Sequence, residues 1–131
     1  MLIGELAKRA SVTPRTIRHY QSLGLLGNVA QESNGFHYYS DEALQRLLKI
    51  NVLKGIGLSL VEIGTVIDLY FEESTIVEGK RQVLQLLDRH LEETDAKLAS
   101  LTQFRNELIQ NKNRIQSIVD QMSPLADNRK L

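Results

Sequence analysis

From Leu84 to Met122 apolar side chains return at alternating steps of three and four: Leu84, Leu87, Leu91, Leu98, Leu101, Leu108, Ile115, Val119 and Met122. Thr94, Arg105 and Lys112 occupy the same series as polar interruptions. This alternation is a heptad seam. After Gly79 no glycine or proline occurs before Pro124, so residues 78 to 123 are expected to form one helix of about forty residues. A lone helix cannot bury such a seam on itself, and a partner helix is required. A second copy of the chain is the economical partner, which makes Leu84, Leu87, Leu91, Leu98, Leu101, Leu108, Ile115 and Val119 the expected dimerisation residues. Heptads leave the orientation of the pair open. The polar seam positions either set its register or lie where pairing ends.

What remains is small. The chain has 131 residues with 42% apolar content, which suits one compact domain or a small domain with an extended appendage. The expected division is a domain over residues 1–72, a linker and dimerisation helix over 73–123, and a short polar flexible tail over 124–131, with no effector domain after the long helix. There is no cysteine, which excludes disulfides and thiolate-based metal or redox sites. Apolar runs are short, and the opening "MLIGELAKRA" carries charges where a signal core would lie. Neither export nor membrane insertion is expected, and the chain reads as cytoplasmic. The net charge is zero, but residues 1–61 hold seven Lys/Arg against four Asp/Glu, and the remainder holds nine against twelve. Such asymmetry is a pointer to nucleic acid, although an ordinary solvated surface also produces it.

In the basic half, Ile3, Leu6, Ala7 and Ala10 form the stripe of a short amphipathic helix ending near Ala10. After Ser11 and Val12, Thr13 is placed to cap a second helix whose first residue is Pro14, where a missing N–H costs nothing. Val12 and Ile17 stand at the positions of a hydrophobic staple. Two helices joined so tightly form a helix-turn-helix. Winding the second at 100° per residue puts Ile17 inside with Pro14 and Tyr20 beside it, Arg15, His19 and Ser22 opposite, and Thr16 and Arg18 on the flanks. A row of donors at the start of a second helix suits base edges and phosphates in a major groove.

"GLLGNVAQESNGFHYYS" follows, with an Asn34-Gly35 turn between short β-prone stretches around Val29 and "FHYY". This predicts a small hairpin, or wing. Ser40 then stands as the cap of a third helix with Asp41 and Glu42 in its first turn and Leu44, Leu47 and Leu48 as its buried side. "GIGLSLVEI" breaks that helix at Gly55 to Gly57 and restarts it with Ser59 and Glu62 as a capping box, before an apolar face of Ile63, Val66, Ile67 and Tyr70.

The succession "IGELAKRASVTPRTIRHYQSLGLL", "NGFHYYS" and "LLKINVLKGIGLSLVEI" resembles the DNA-binding domain of the MerR family of bacterial transcription regulators over about residues 2 to 70. The fold class expected is mainly α: a winged helix-turn-helix DNA-binding domain followed by a long C-terminal dimerisation helix forming a coiled coil. The resemblance implies an antiparallel homodimer on double-stranded DNA with a palindromic promoter site, which is distorted so that RNA polymerase, an indirect partner, can use it. It places Arg15, Thr16, Arg18 and Tyr20 on the recognition helix, and Lys54 and Ser59 at a turn that braces the DNA backbone. With Thr13 and His19 on the same helix and His37 and Tyr39 on the wing, these residues make up the expected DNA-contact set. The chain departs from the family pattern at Gln21, where a glutamate is usual, and at Gln31 and His37, where the wing usually carries arginines.

Three scattered histidines, no glycine-rich phosphate loop and no nucleophile motif point away from an enzyme. No metal or cofactor is expected. His90 on the long helix has no accompanying ligand pattern and reads as a solvated or packing residue. A coiled-coil interaction adaptor that does not bind specific DNA is the alternative, since the long helix would serve it equally well.

Overall fold

The computed structural model describes residues 1–27 and 30–129, together with their side chains except at 30, 31, 33 and beyond 123. Val29 and the side chain of Gln31, both invoked above, lie outside the described residues. Two compact units emerge, Met1–Asp88 and Arg89–Leu131.

The first unit opens with α1 (Ile3–Ala10) and α2 (Pro14–Ser22). Leu6, Ala7 and Ala10 are the buried stripe of α1, and Ser11 ends the helix in the left-handed conformation at φ 56°. That allows the Val12 N–H to reach back to the Ala7 carbonyl at 3.0 Å. Thr13 then caps α2 as its sequence predicts, its Oγ1 accepting from the Thr16 N–H at 3.1 Å. Ile17 and Tyr20 are the buried residues of α2, and Val12 is half-buried against the same core.

The wing is an antiparallel pair, β1 (Ala30–Ser33) and β2 (Phe36–Tyr39), in the register Ala30 opposite Tyr39 through Ser33 opposite Phe36. Its turn needs two consecutive left-handed residues, and Asn34 (φ 52°) and Gly35 (φ 77°) supply them. At the base of the wing the Tyr39 N–H donates to the Met1 carbonyl at 2.7 Å, and the Met1 ammonium donates to the Tyr39 carbonyl at 2.8 Å.

α3 (Asp41–Gly55) departs from expectation in two respects. Ser40 occupies the N-cap position with extended backbone, but its side chain makes no capping hydrogen bond. The buried face is Ala43, Arg46, Leu47, Ile50 and Leu53, with Leu44 half-buried, while Leu48 is exposed. Leu48 sits 100° round the helix from Leu47, and the partners of α3 lie on the other side. Gly57 (φ 110°) turns the chain, and Ser59 starts α4 (Leu60–Val66) with both bonds of the capping box. The Glu62 N–H donates to Ser59 Oγ at 3.2 Å, and the Ser59 N–H to Glu62 Oε1 at 2.9 Å. A 3-10 segment, Ile67–Phe71, follows. Ile63, Val66 and Ile67 are buried as expected, and Tyr70 is half-buried.

α5 runs from Ile76 to Arg129, 54 residues. Its backbone passes through Pro124, where the sequence reading ends the helix. Proline cannot donate an intrahelical bond and crowds the preceding turn, so helix on both sides of it was not anticipated. The first turns of α5 belong to the first unit: Val83 is buried and Leu86 and Leu87 are half-buried against its core. Leu87 therefore serves the domain core as well as standing in the seam. In the second unit, Leu91, Leu98, Leu101, Leu108, Ile115, Val119 and Met122 are all at least half exposed, as is Leu84 in the first. No helix among the described residues is long and apolar enough to cross a membrane.

Candidate nucleic-acid interface

Burial of Ile17 and Tyr20 turns the opposite face of α2 outward, and on it Arg15, Arg18, His19 and Ser22 are exposed. Neither arginine forms an ion pair among the described residues, so both guanidinium groups keep their donors for a ligand. At the N-terminal end of the helix Thr13 and Thr16 share a hydrogen bond of 2.9 Å between hydroxyls. Ser22 is turned back on its own helix, donating to the His19 carbonyl at 2.6 Å. Across from α2 stands the wing, with Phe36, His37 and Tyr38 exposed. A half-open cleft of about 900 Å³ separates the two, bounded by Leu2, Arg18, Gln21, Phe36, His37 and Tyr39.

Other members of the expected contact set also make bonds within the first unit. Tyr20 is buried and its hydroxyl accepts a hydrogen bond from Lys54 Nζ at 3.2 Å, with the ammonium 5.8 Å from the ring centre. The pair ties α3 to α2. Tyr39 is also buried, and its phenol donates to Gln21 Oε1 at 2.7 Å. Gln21 thus receives the wing tyrosine's hydrogen bond on its side-chain oxygen. The Ser59 hydroxyl is occupied as the cap of α4. Arg15, Arg18, His19 and His37 thus stand on the surface together with Thr13, Lys54 and Ser59, which are exposed but also make bonds within the unit, whereas Thr16 is half-buried and Tyr20 and Tyr39 are buried.

Arg46 was not singled out from the sequence. It is only 8% exposed and belongs to the buried face of α3. The signal was present, since an arginine at that position breaks an apolar face running Ala43, Leu47, Ile50 and Leu53.

Burial raises the phenol pKa of Tyr39, with the nearby Arg18 charge pulling weakly in the opposite direction, and burial also raises that of Tyr70. In the unfolded chain both tyrosines ionise at lower pH than in the fold. Their contribution to stability is therefore complete below about pH 10 and is lost as pH rises through the folded values. Urea melts between pH 8 and 11.5 should show a steeper alkaline loss in the wild type than in Tyr39→Phe/Tyr70→Phe. Equal slopes would contradict this assignment.

Comparison with known proteins agrees with this geometry. The MerR HTH family regulatory protein pattern matches residues 1–69, and a second, described as MerR, DNA binding, matches residues 44–110. The nodulation protein NolA of Bradyrhizobium elkanii is 33% identical over 127 residues, which is 95% of this chain but 53% of that protein. The chain thus spans about half the length of that relative, and a smaller share, 40%, of the NolA of Bradyrhizobium sp. strain NC92. The HTH-type transcriptional regulator ZntR of Escherichia coli K12 is 33% identical over 108 residues, covering 81% of this chain and 74% of ZntR. Among solved structures, the transcription regulator PbrR691 of Ralstonia metallidurans CH34, in complex with lead(II), superposes with a TM-score of 0.70 at 33% identity. It covers 84% of this chain and 83% of its own. The paired helices, the wing and the matches over both halves of the chain lead to one conclusion: the protein belongs to the MerR family of transcription regulators.

Proposed function

We propose that the protein is a transcription regulator that binds a palindromic promoter site as a homodimer and distorts the DNA so that RNA polymerase can act on it. The observation that carries this reading is the exposed face of α2, where Arg15 and Arg18 stand without ionic partners among the described residues, beside a wing that bears His37. The recognition helix enters the major groove, and its arginines, Thr16 and His19 meet base edges and phosphates. The exposed seam of α5 supplies the dimer contact. ZntR and PbrR691 are transcription regulators, which supports a non-catalytic role and a cytoplasmic location. The absence of cysteine from these 131 residues argues against a signal read by thiolate coordination, the chemistry best suited to soft metals.

Gel shifts on duplexes from the gene's own promoter, over a series of salt concentrations, test the reading. Arg18→Ala should weaken specific and random duplexes alike if it holds a phosphate. If it reads a base, the loss should be about 1 to 3 kcal/mol and confined to certain sequences. His37→Arg adds a fixed cation to the wing and should steepen the salt dependence by about one unit. An adaptor that ignores DNA sequence would bind every duplex equally weakly and show neither effect.

A further inference from the structure

Arg46, on α3, reaches two other parts of the first unit. Its Nη1 donates to the Leu25 carbonyl at 3.3 Å, in the loop between α2 and the wing, and to Asp68 Oδ1 at 2.7 Å, in the 3-10 segment. Its guanidinium also lies 4.8 Å from the centre of the Phe71 ring. The loop approaches so closely that a Cβ on Gly27, itself at φ 62°, would stand 3.3 Å from Arg46 Cζ. Nε is buried without a hydrogen-bond partner among the described residues. A buried cation with one unmet donor is a poor way to gain stability, since a well-packed apolar side chain often does as well. Its planar guanidinium, bonded through Nη1 to two partners and lying over the Phe71 ring, fixes geometry instead.

The 3-10 segment is gripped again where α5 begins. Gly79 has Leu69 and Tyr70 against its backbone, and a Cβ there would meet Leu69 Cβ at 3.1 Å and Tyr70 Cε2 at 3.2 Å. Glycine inside a helix is unfavourable, so this close approach needs its own reason. Lys49 Nζ of α3 and Lys80 Nζ of α5 also lie 5.1 Å and 5.4 Å from the centre of the Tyr70 ring. Thr75 Oγ1 donates to the Leu69 carbonyl at 2.9 Å across the same corner. Contacts therefore run unbroken from the loop behind the recognition helix, through Arg46 and the 3-10 segment, to the first turns of α5.

We propose that Arg46 and Gly79 are positioning residues that hold the recognition helix and wing at a fixed angle to the first turns of α5, and so set the half-site spacing the dimer accepts. The inference rests on the DNA-binding reading above. A two-fold dimer presents its recognition helices at one separation, and spacing tolerance measures how stiffly each is held.

The test uses the full chain and duplexes selected by the wild type from a random library, with the spacer between half-sites then lengthened or shortened by single base pairs. Wild type should lose at least tenfold in affinity per added or removed pair. Asp68→Asn alters the exposed partner of Arg46, whose side chain is 77% exposed, and should fold normally. It should bind the best duplex within about threefold of wild type but discriminate spacing at least threefold less. Arg46→Lys, which keeps the charge and loses the fork, should behave likewise. Gly79→Ala should shift the optimum or broaden it. A profile equally sharp in wild type, Asp68→Asn and Gly79→Ala overturns the proposal, as does a flat wild-type profile. A wild type that selects no duplex overturns the DNA-binding reading and this inference with it.

Discussion

Aspartate at Leu98 or Leu101 should leave a monomer at micromolar concentration and lower affinity for the palindromic site by about a hundredfold or more. In a single chain these two leucines are 57% and 64% exposed, midway along a seam whose other large apolar members, Leu87 excepted, are similarly uncovered. Isolated surface leucines need no explanation, but a stripe of them at heptad spacing does. A carboxylate in the paired seam would have to be buried without a partner, which strongly disfavours association. The effect on DNA exceeds the effect on either half-site because linkage turns the second half-site contact into an intramolecular event, with gains of about 10²- to 10⁴-fold. Sedimentation equilibrium and gel shifts on whole and half sites check both parts. A variant that stays dimeric would remove this seam from the interface, and a monomeric variant with undiminished affinity would remove the linkage argument.

Tyr20→Ala should destabilise the first unit by about 3 to 5 kcal/mol, the range for removing a buried aromatic ring, which is a large share of the stability of a small domain. Tyr20→Phe should cost about 1 kcal/mol, the usual size of one hydrogen bond, because the ring stays in the core and only the bond from Lys54 is lost. The contrast separates two roles for the same side chain. If Tyr20 acted as a surface contact to DNA, alanine would fold as well as phenylalanine and both would bind DNA poorly. Urea denaturation of the free proteins decides the matter before any DNA is added, and a small loss for Tyr20→Ala would sink the core assignment. Tyr20→Phe also frees the Lys54 ammonium, so a modest rise in non-specific DNA affinity should accompany it.

What the amino-acid order by itself determined is mostly what is built from near neighbours in the chain, the Ser40 cap and Leu48 excepted. Thr13 caps α2 through the Thr16 N–H, Ser59 and Glu62 close their box, and Asn34-Gly35 turns the wing. Such bonds depend only on local spacing and on which residues tolerate left-handed backbone, so they can be read before the chain is folded. The stripes of α1 and α4 and the seam of α5 were legible for a similar reason, since helical period alone gathers their apolar residues. Only the tertiary structure decided which way the ambiguous side chains turn. Tyr39 finds Gln21 across 18 residues, Arg46 finds Asp68 across 22 and Lys54 finds Tyr20 across 34. Leu48 faces outward and Val83 inward for want and presence of neighbours distant in sequence. Period tells which residues share a face. Which face is covered depends on the elements that pack there, and that sorted Arg15, Arg18 and His37 to the surface while Tyr20 and Tyr39 went inside.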